Sequence, residues 1–246
     1  MKKPRFINGA EAAEMISDNS TIATIGMTLV SASETILKAV EHRFLTEGSP
    51  KNLTLVHSCG QLFRSMAGGE PGKITKVGLG TFVDPRLDGV KMNEITKSAP
   101  DISDVVTIDG EEYMRYKPIP LDYVIIRGTY VDELGNLTTD EEAMQLEVFS
   151  AVMACKKFGG KVIAQAKYKV KAGSLHCKRV TVPGIFIDAV VMCPNPEEDH
   201  RQTHSFAFDP AYCGDIKVPV SESDVLPLNL RKVIGRRALM ELHVDD

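Results

Sequence analysis

Thr21-Ile22-Ala23-Thr24-Ile25-Gly26-Met27-Thr28-Leu29-Val30-Ser31-Ala32-Ser33-Glu34 is the stretch on which the fold turns. Thr21 to Ile25 alternates polar and apolar side chains in the manner of a strand, and Gly26 marks a sharp turn. Ser31 to Glu34 has the spacing of a capping box, in which the serine and glutamate side chains satisfy each other's backbone N–H groups. Ile36, Leu37, Val40 and Phe44 then fall on one face of a helix that stops at Gly48. Strand, glycine turn and helix in that order open a parallel α/β unit, because a crossover of helical length lets the next strand run in the same direction.

The pattern continues on both sides. Ala10 to Ser17 reads as a short helix, and Asn52 to His57 and Lys73 to Val77 read as strands. Val105 to Ile108 runs into Asp109-Gly110, a dipeptide suited to a tight hairpin turn, and the chain returns through Tyr113 to Tyr116. Leu121 to Ile126 is rich in β-forming residues and is followed by a polar turn at Asp132 to Asn136. A helix is expected from Glu141 to Phe158, ending at Gly159-Gly160, with strands at Lys161 to Ala166 and Ile185 to Val191. This alternation predicts an α/β fold: an open, largely parallel, mixed sheet flanked by helices. Leu228 to His243 reads as an amphipathic helix after a proline-punctuated stretch. The expected division is therefore a first domain over 1–218, a linker over 219–227 and the start of a second domain over 228–246.

Composition narrows the function class. Of 246 residues, 43% are hydrophobic and 25% charged, the balance of a globular protein. Apolar runs such as Tyr123 to Ile126 and Ala189 to Cys193 fall far short of the roughly 20 residues that span a bilayer. No membrane association is expected. The basic start at Met1-Lys2-Lys3 lacks the apolar stretch of a secretory signal, so a cytoplasmic location is expected. Five cysteines without a C-x-x-C pair read as reduced thiols rather than a disulfide framework or a zinc site. A net charge of −4 argues against a nucleic-acid partner.

Isolated motifs carry little. Gly68 to Lys73 lacks the glycine and the Ser or Thr that a phosphate-binding loop needs, and Gly78-Leu79-Gly80 lacks the third glycine of a dinucleotide fingerprint. His200 and His204 stand four apart beside Glu197, Glu198 and Asp199, but Pro194 and Pro196 favour a solvated acidic loop over a metal site. Glu94, Glu141 and Glu142 are possible carboxylate catalysts, with exposed helix starts or loops as the simpler expectation.

A long ordered set of segments says more. Val77 to Arg86 (V-G-L-G-T-F-V-D-P-R) and Lys91 to Lys97 (K-M-N-E-I-T-K) closely resemble the G-x-G-T-F-x-D-P-R and K-x-N-[DE]-x-T-K segments of acetate and propionate CoA-transferases, class I coenzyme A transferases. Ile126 to Asn136 resembles the family's R-[AG]-T-x-x-D-x-x-G-N, and Val170 to Leu175, Val182 to Ile185 and Lys232 to Ala238 follow in the family's order.

The resemblance implies transfer of coenzyme A between short-chain carboxylic acids, with an acyl-CoA thioester as substrate, no permanently bound cofactor and no metal. The family works by a ping-pong route through a glutamyl-CoA thioester. It implies Gly26, Met27, Thr28, Gly78, Gly80, Thr81, Asn93 and Glu94 as substrate or oxyanion-site residues, with the two glycine turns near the carboxyl ends of strands. The family's nucleophilic glutamate lies in a T-x-E-[ST]-G context that these 246 residues do not contain, so no catalytic nucleophile is expected in this chain. A carboxy-terminal half or partner subunit is expected to supply it, within a homo-oligomer. Cys59-Gly60-Gln61 also bridges directly a place where the family carries a long intervening stretch. Alternatives are an acyl-CoA hydrolase, in which water replaces the acceptor acid, and a non-catalytic interaction domain that retains the fold.

Overall fold

The computed structural model describes residues 3–27, 30–57, 60–219, 225 and 227–243. Thr28, Cys59 and most of the expected linker over 219–227 therefore lie outside the described residues. The strands are β1 (Arg5–Ile7), β2 (Thr21–Thr24), β3 (Thr54–His57), β4 (Lys73–Thr75), β5 (Ser103–Ile108), β6 (Glu111–Tyr116), β7 (Tyr123–Asp132), β8 (Leu137–Thr138), β9 (Lys161–Val170), β10 (Val180–Val182) and β11 (Ala189–Met192). The helices are α1 (Gly9–Glu14), α2 (Glu34–Glu47), α3 (Gly60–Gly68), α4 (Glu94–Ser98), α5 (Val148–Lys157), α6 (Pro196–Asp199), α7 (Pro210–Cys213) and α8 (Leu230–Leu239).

Six strands form the parallel part of the main sheet in the order β1-β11-β9-β7-β2-β3, and β8 and β10 add a short antiparallel margin. Successive side chains of a strand point to opposite faces, and the two faces here bury different sets. Ala23, Val124, Ile126, Val162, Ala164 and Val190 face α3 and α5, where Phe63, Met66, Ala151 and Val152 complete one core. Ile22, Ile125, Ile163, Ala189 and Val191 face α1 and α2, where Ala12, Ile16 and Ile36 complete the other. Burying each such Val, Ile or Phe is worth about 1.5–3 kcal/mol, which is why both faces must be covered. The result is the expected mostly parallel sheet between helical layers.

β4, β5 and β6 form a separate antiparallel sheet in the order β4-β6-β5. Its hairpin turns at Asp109 (φ 52°) and Gly110 (φ 84°), the two left-handed positions that the dipeptide was expected to supply.

Three expectations are corrected. The helix expected from Glu141 begins only at Val148, because Glu141 donates its backbone N–H to Thr129 Oγ1 and both glutamate side chains are drawn into long-range pairs. The capping box at Ser31 does not form. The N-cap of α2 is Ser33, whose hydroxyl is buried without a hydrogen-bond partner, and the N–H of Thr35 is satisfied by Gln165 Oε1 instead, 130 residues away. The strand expected over Ile185 to Val191 is a 3-10 turn at Gly184–Phe186 followed by β11.

α8 starts at its N-cap Asn229 and buries no side chain; Val233, Ile234, Leu239 and Met240 are all exposed.

Candidate functional site

Thr24 at the end of β2 is level with Ile125 of β7, so β7 runs on past β2 and leaves Arg127 beside the turn that begins at Gly26. That turn is closed by reciprocal backbone hydrogen bonds between Met27 and Val30, both 2.9 Å. A Cβ on Gly26 would stand 3.1 Å from the Val30 carbonyl oxygen, closer than an ordinary contact. Gly26 lines a small cleft of about 100 Å³ with Thr24, Ala32, Ser33 and His57.

Beneath the turn lies a buried polar cluster. The Arg127 guanidinium reaches Glu142 Oε2 from Nε (2.9 Å) and Nη2 (2.6 Å), donates from Nη1 to the Ala32 carbonyl (3.0 Å) and from Nη2 to the Arg201 carbonyl (2.9 Å). Ser31 Oγ donates to the same Glu142 oxygen at 3.3 Å. The register sets Gln165 of β9 directly beside Arg127. Because Gln165 Oε1 accepts from Thr35, its amide nitrogen must face the Asp199 carbonyl (2.8 Å) and His200 Nδ1 (3.2 Å). Nδ1 is then an acceptor and the proton sits on Nε2, which donates to Glu142 Oε1 at 2.9 Å. Burial alone would raise the Glu142 carboxyl, yet the His200 hydrogen bond and the Arg127 charge bring it down to about 2. Burial lowers the His200 imidazole in spite of Glu142, which keeps it neutral.

This corrects the reading of His200 as part of a solvated loop: it is buried, whereas His204 is exposed. Glu142 is likewise buried rather than exposed. Among the described residues no group of His, Cys, Asp or Glu side chains is arranged to hold a metal ion.

The remaining motif residues are organised by carboxylates and close glycines. Asp132 accepts from the N–H groups of Leu134 and Asn136 and from the Asn136 amide, all at 2.9 Å, and Asn136 Oδ1 in turn accepts from Gly184 N. Asp84, buried under the second glycine turn, accepts from Gly80 N (3.0 Å), Arg86 N (3.0 Å) and the Arg86 guanidinium, which also grips Glu112. These contacts hold the Asp84 carboxyl well below the usual range. Thr81 donates both N–H and Oγ1 to the Gly78 carbonyl. Asn93 caps α4 through Thr96, and the exposed Glu94 pairs with Lys97. Gly26 thus follows a strand of the main sheet, whereas Gly78 and Gly80 follow β4 in the separate sheet, with the Gly80 N–H already committed to Asp84.

None of the three glutamates singled out in the sequence is unpaired. Glu142 has both oxygens engaged, Glu141 pairs with Lys167 (2.7 Å) and Tyr130, and Glu94 with Lys97. Arg127, Gln165 and His200 were not singled out as site residues. A charged residue inside the apolar run of β7 was the one available signal, since a buried Arg requires a buried partner.

The coenzyme A transferase family model matches residues 15–192. The caffeate CoA-transferase of Acetobacterium woodii is 34% identical over 294 aligned positions, covering 98% of this chain and 56% of that protein. That span exceeds the 246 residues here, so the relative carries insertions that this chain lacks. The solved acyl-CoA transferase YdiF of Escherichia coli O157:H7 superposes with a TM-score of 0.84 at 27% identity, covering 98% of this chain and 55% of that one. The alpha subunit of the acetoacetyl-CoA:acetate/butyrate CoA transferase of Clostridium acetobutylicum is 28% identical over 181 residues, covering 74% of this chain and 71% of that subunit. The chain spans about half the length of the first two relatives. The family match takes in well over half of the chain, and the chain belongs to the coenzyme A transferase family.

Proposed function

We propose that this chain supplies one half of an enzyme that moves coenzyme A between short-chain carboxylic acids, with an acyl-CoA thioester as donor. The reading is carried by the match to YdiF over 98% of the chain, a protein also solved as a thioester complex with CoA. A glutamate carboxylate attacks the thioester carbonyl, giving an acyl-glutamyl anhydride and CoA thiolate. The thiolate attacks the glutamyl carbonyl, releasing the first acid and leaving a glutamyl-CoA thioester. The second acid then repeats both steps in reverse and leaves as acyl-CoA. The glutamate comes from polypeptide outside these residues, a second half or a partner subunit; the engagement of Glu94, Glu141 and Glu142 supports this.

In this reading Gly26 and Met27 face the thioester carbonyl, where a turn anchored by Arg127 through the Ala32 carbonyl limits reorganisation as the oxyanion forms; Thr28 is assigned to the same turn on the resemblance alone. Gly78, Gly80, Thr81, Asn93 and Glu94 belong to the opposite wall, whose shape Asp84 fixes. The division into 1–218, 219–227 and 228–246 is part of the proposal, supported by a helix α8 that buries nothing, and so is assembly into a homo-oligomer.

The test mixes the purified chain with the polypeptide carrying the T-x-E segment and follows CoA transfer from acetyl-CoA to propionate. Formation of propionyl-CoA supports the reading. Release of free CoA without an acceptor acid identifies a hydrolase, and a stable complex without turnover identifies an interaction domain; either overturns it.

A further inference from the structure

Lys73 and Glu147 line one cleft of about 490 Å³ between the start of α3, the small sheet and the residue preceding α5. That volume is in the range of roughly 300–1,000 Å³ usual for small-molecule sites. Leu62, Val77 and Tyr116 give it apolar walls, and Gln61 adds an amide. The Tyr116 hydroxyl donates to the Val77 carbonyl at 3.0 Å, which holds the ring as a fixed wall one residue from the Gly78 turn.

The charges of this cleft are the unusual feature. Other partly or fully buried lysines are paired: Lys91 with Asp101, Lys117 with Asp104, Lys156 with Asp188 and Lys167 with Glu141. Lys73 and Glu147 are also partly buried, yet neither meets a hydrogen-bond or ion-pair partner for its side chain among the described residues. Glu147 is brought close by Gly60, where any Cβ would overlap its carboxylate, and it follows Leu146, held at φ 46° in a region that bulky side chains rarely enter. A cation and an anion left apart on one apolar cleft suit a ligand that carries an anion at one end and a hydrogen-bond donor at the other. A ligand with an anion alone would leave the Glu147 carboxylate desolvated and uncompensated.

We infer that this cleft binds a carboxylic acid bearing a hydroxyl remote from its carboxylate, of the hydroxyaryl-alkanoate type. The carboxylate pairs with Lys73, the hydrocarbon lies on Leu62, Val77 and Tyr116, and the hydroxyl donates to Glu147. The inference extends the acids of the transferase reading beyond the short-chain class, and rests on that reading only for what the bound acid is used for.

The test is calorimetric titration of the full chain with 3-(4-hydroxyphenyl)propionate, 3-phenylpropionate and propionate. The hydroxylated acid is expected to bind tightest. Glu147→Ala should erase its advantage over 3-phenylpropionate, a loss of about tenfold for a hydrogen bond to a charged group. Lys73→Met should weaken both aryl acids by a similar factor, and Val77→Trp should abolish binding of both; unchanged melting curves establish that each variant is folded. Absence of saturable binding to the native chain, or a Glu147→Ala variant that keeps the full preference for the hydroxyl, overturns the inference. Coenzyme A transfer by the reconstituted enzyme together with no aryl-acid binding sinks this inference and leaves the transferase reading standing. Aryl-acid binding with the expected variant pattern but no transfer supports the cleft and sinks the other.

Discussion

His200 donates its Nε2 proton to Glu142 across 2.9 Å, although 58 residues separate the two in the chain. The pair makes folding stability depend on acidity in a definite direction. His200 is depressed by burial, so below its ordinary value of 6.5 the unfolded chain takes up a proton that the folded chain refuses, and stability falls. Glu142 is held at about 2 against an ordinary 4.5, so its contribution is complete above the ordinary value and is lost as the pH falls towards 2. Melting temperature should therefore be level above neutrality and decline in two stages on acidification, the first as His200 becomes protonated in the unfolded chain and the second as Glu142 does. His200→Asn should remove the first stage and, because the His200 hydrogen bond helps to lower Glu142, move the second to higher pH; a flat profile from pH 7 to 4 in the native chain contradicts the assignment.

Glu142→Ala leaves the Arg127 guanidinium buried without its anion and should cost about 3–5 kcal/mol in chemical denaturation. Arg127→Met should cost a similar amount by stranding the carboxylate. The double replacement Arg127→Met with Glu142→Leu should recover most of the loss, because no charge is then left behind.

Asp84→Ala removes the acceptor for the Gly80 and Arg86 N–H groups. Hydrogen exchange at those amides should rise sharply while the main sheet stays protected, since β4, β5 and β6 form a sheet of their own. Uniform deprotection of both sheets would show instead that the turn supports the whole fold.

Two glycines predict opposite signs. A Cβ at Gly128 would stand 2.5 Å from the Thr138 carbonyl oxygen, so Gly128→Ala must displace β8 and should destabilise by about 2 kcal/mol or more. Gly235 in α8 meets nothing within 4 Å, and Gly235→Ala should strengthen that helix by up to about 1 kcal/mol. Circular dichroism melts of the two variants check both.

Removing 228–246 should leave the melting temperature of the remainder nearly unchanged, because α8 buries no side chain. Its exposed Val233, Leu239 and Leu242 should instead reduce self-association when deleted, as read by sedimentation. A strictly monomeric native chain that loses much thermal stability on truncation would refute the expectation.

Local chemistry determined much of the scaffold. The strand, turn and helix over Thr21 to Gly48, the hairpin at Asp109-Gly110 and the apolar runs of β7, β9 and β11 could be read in the chain because strand periodicity, left-handed glycine positions and apolar burial act between near neighbours. The ordered motifs could be read for the same reason, as short strings. What they do could not. Arg127, Asp132 and Asp84 stand in those strings as bare letters, and only the fold turns them into the anchor of the Gly26 turn, the organiser of the Asn136 corner and the floor of the Gly80 turn. The helix expected from Glu141 was lost to partners on β7 and β9, and the capping box at Ser31 to Gln165. Local sequence determined most of the strands and helices, though not where α5 and β11 begin, and that they stack as an α/β sheet. Tertiary structure alone decided that Arg127, Glu142, Gln165 and His200 meet, and that the two glycine turns stand on separate sheets, because a buried charge takes its partner from whatever segment packs against it, here the loop between β8 and α5, and not from its neighbours in the chain.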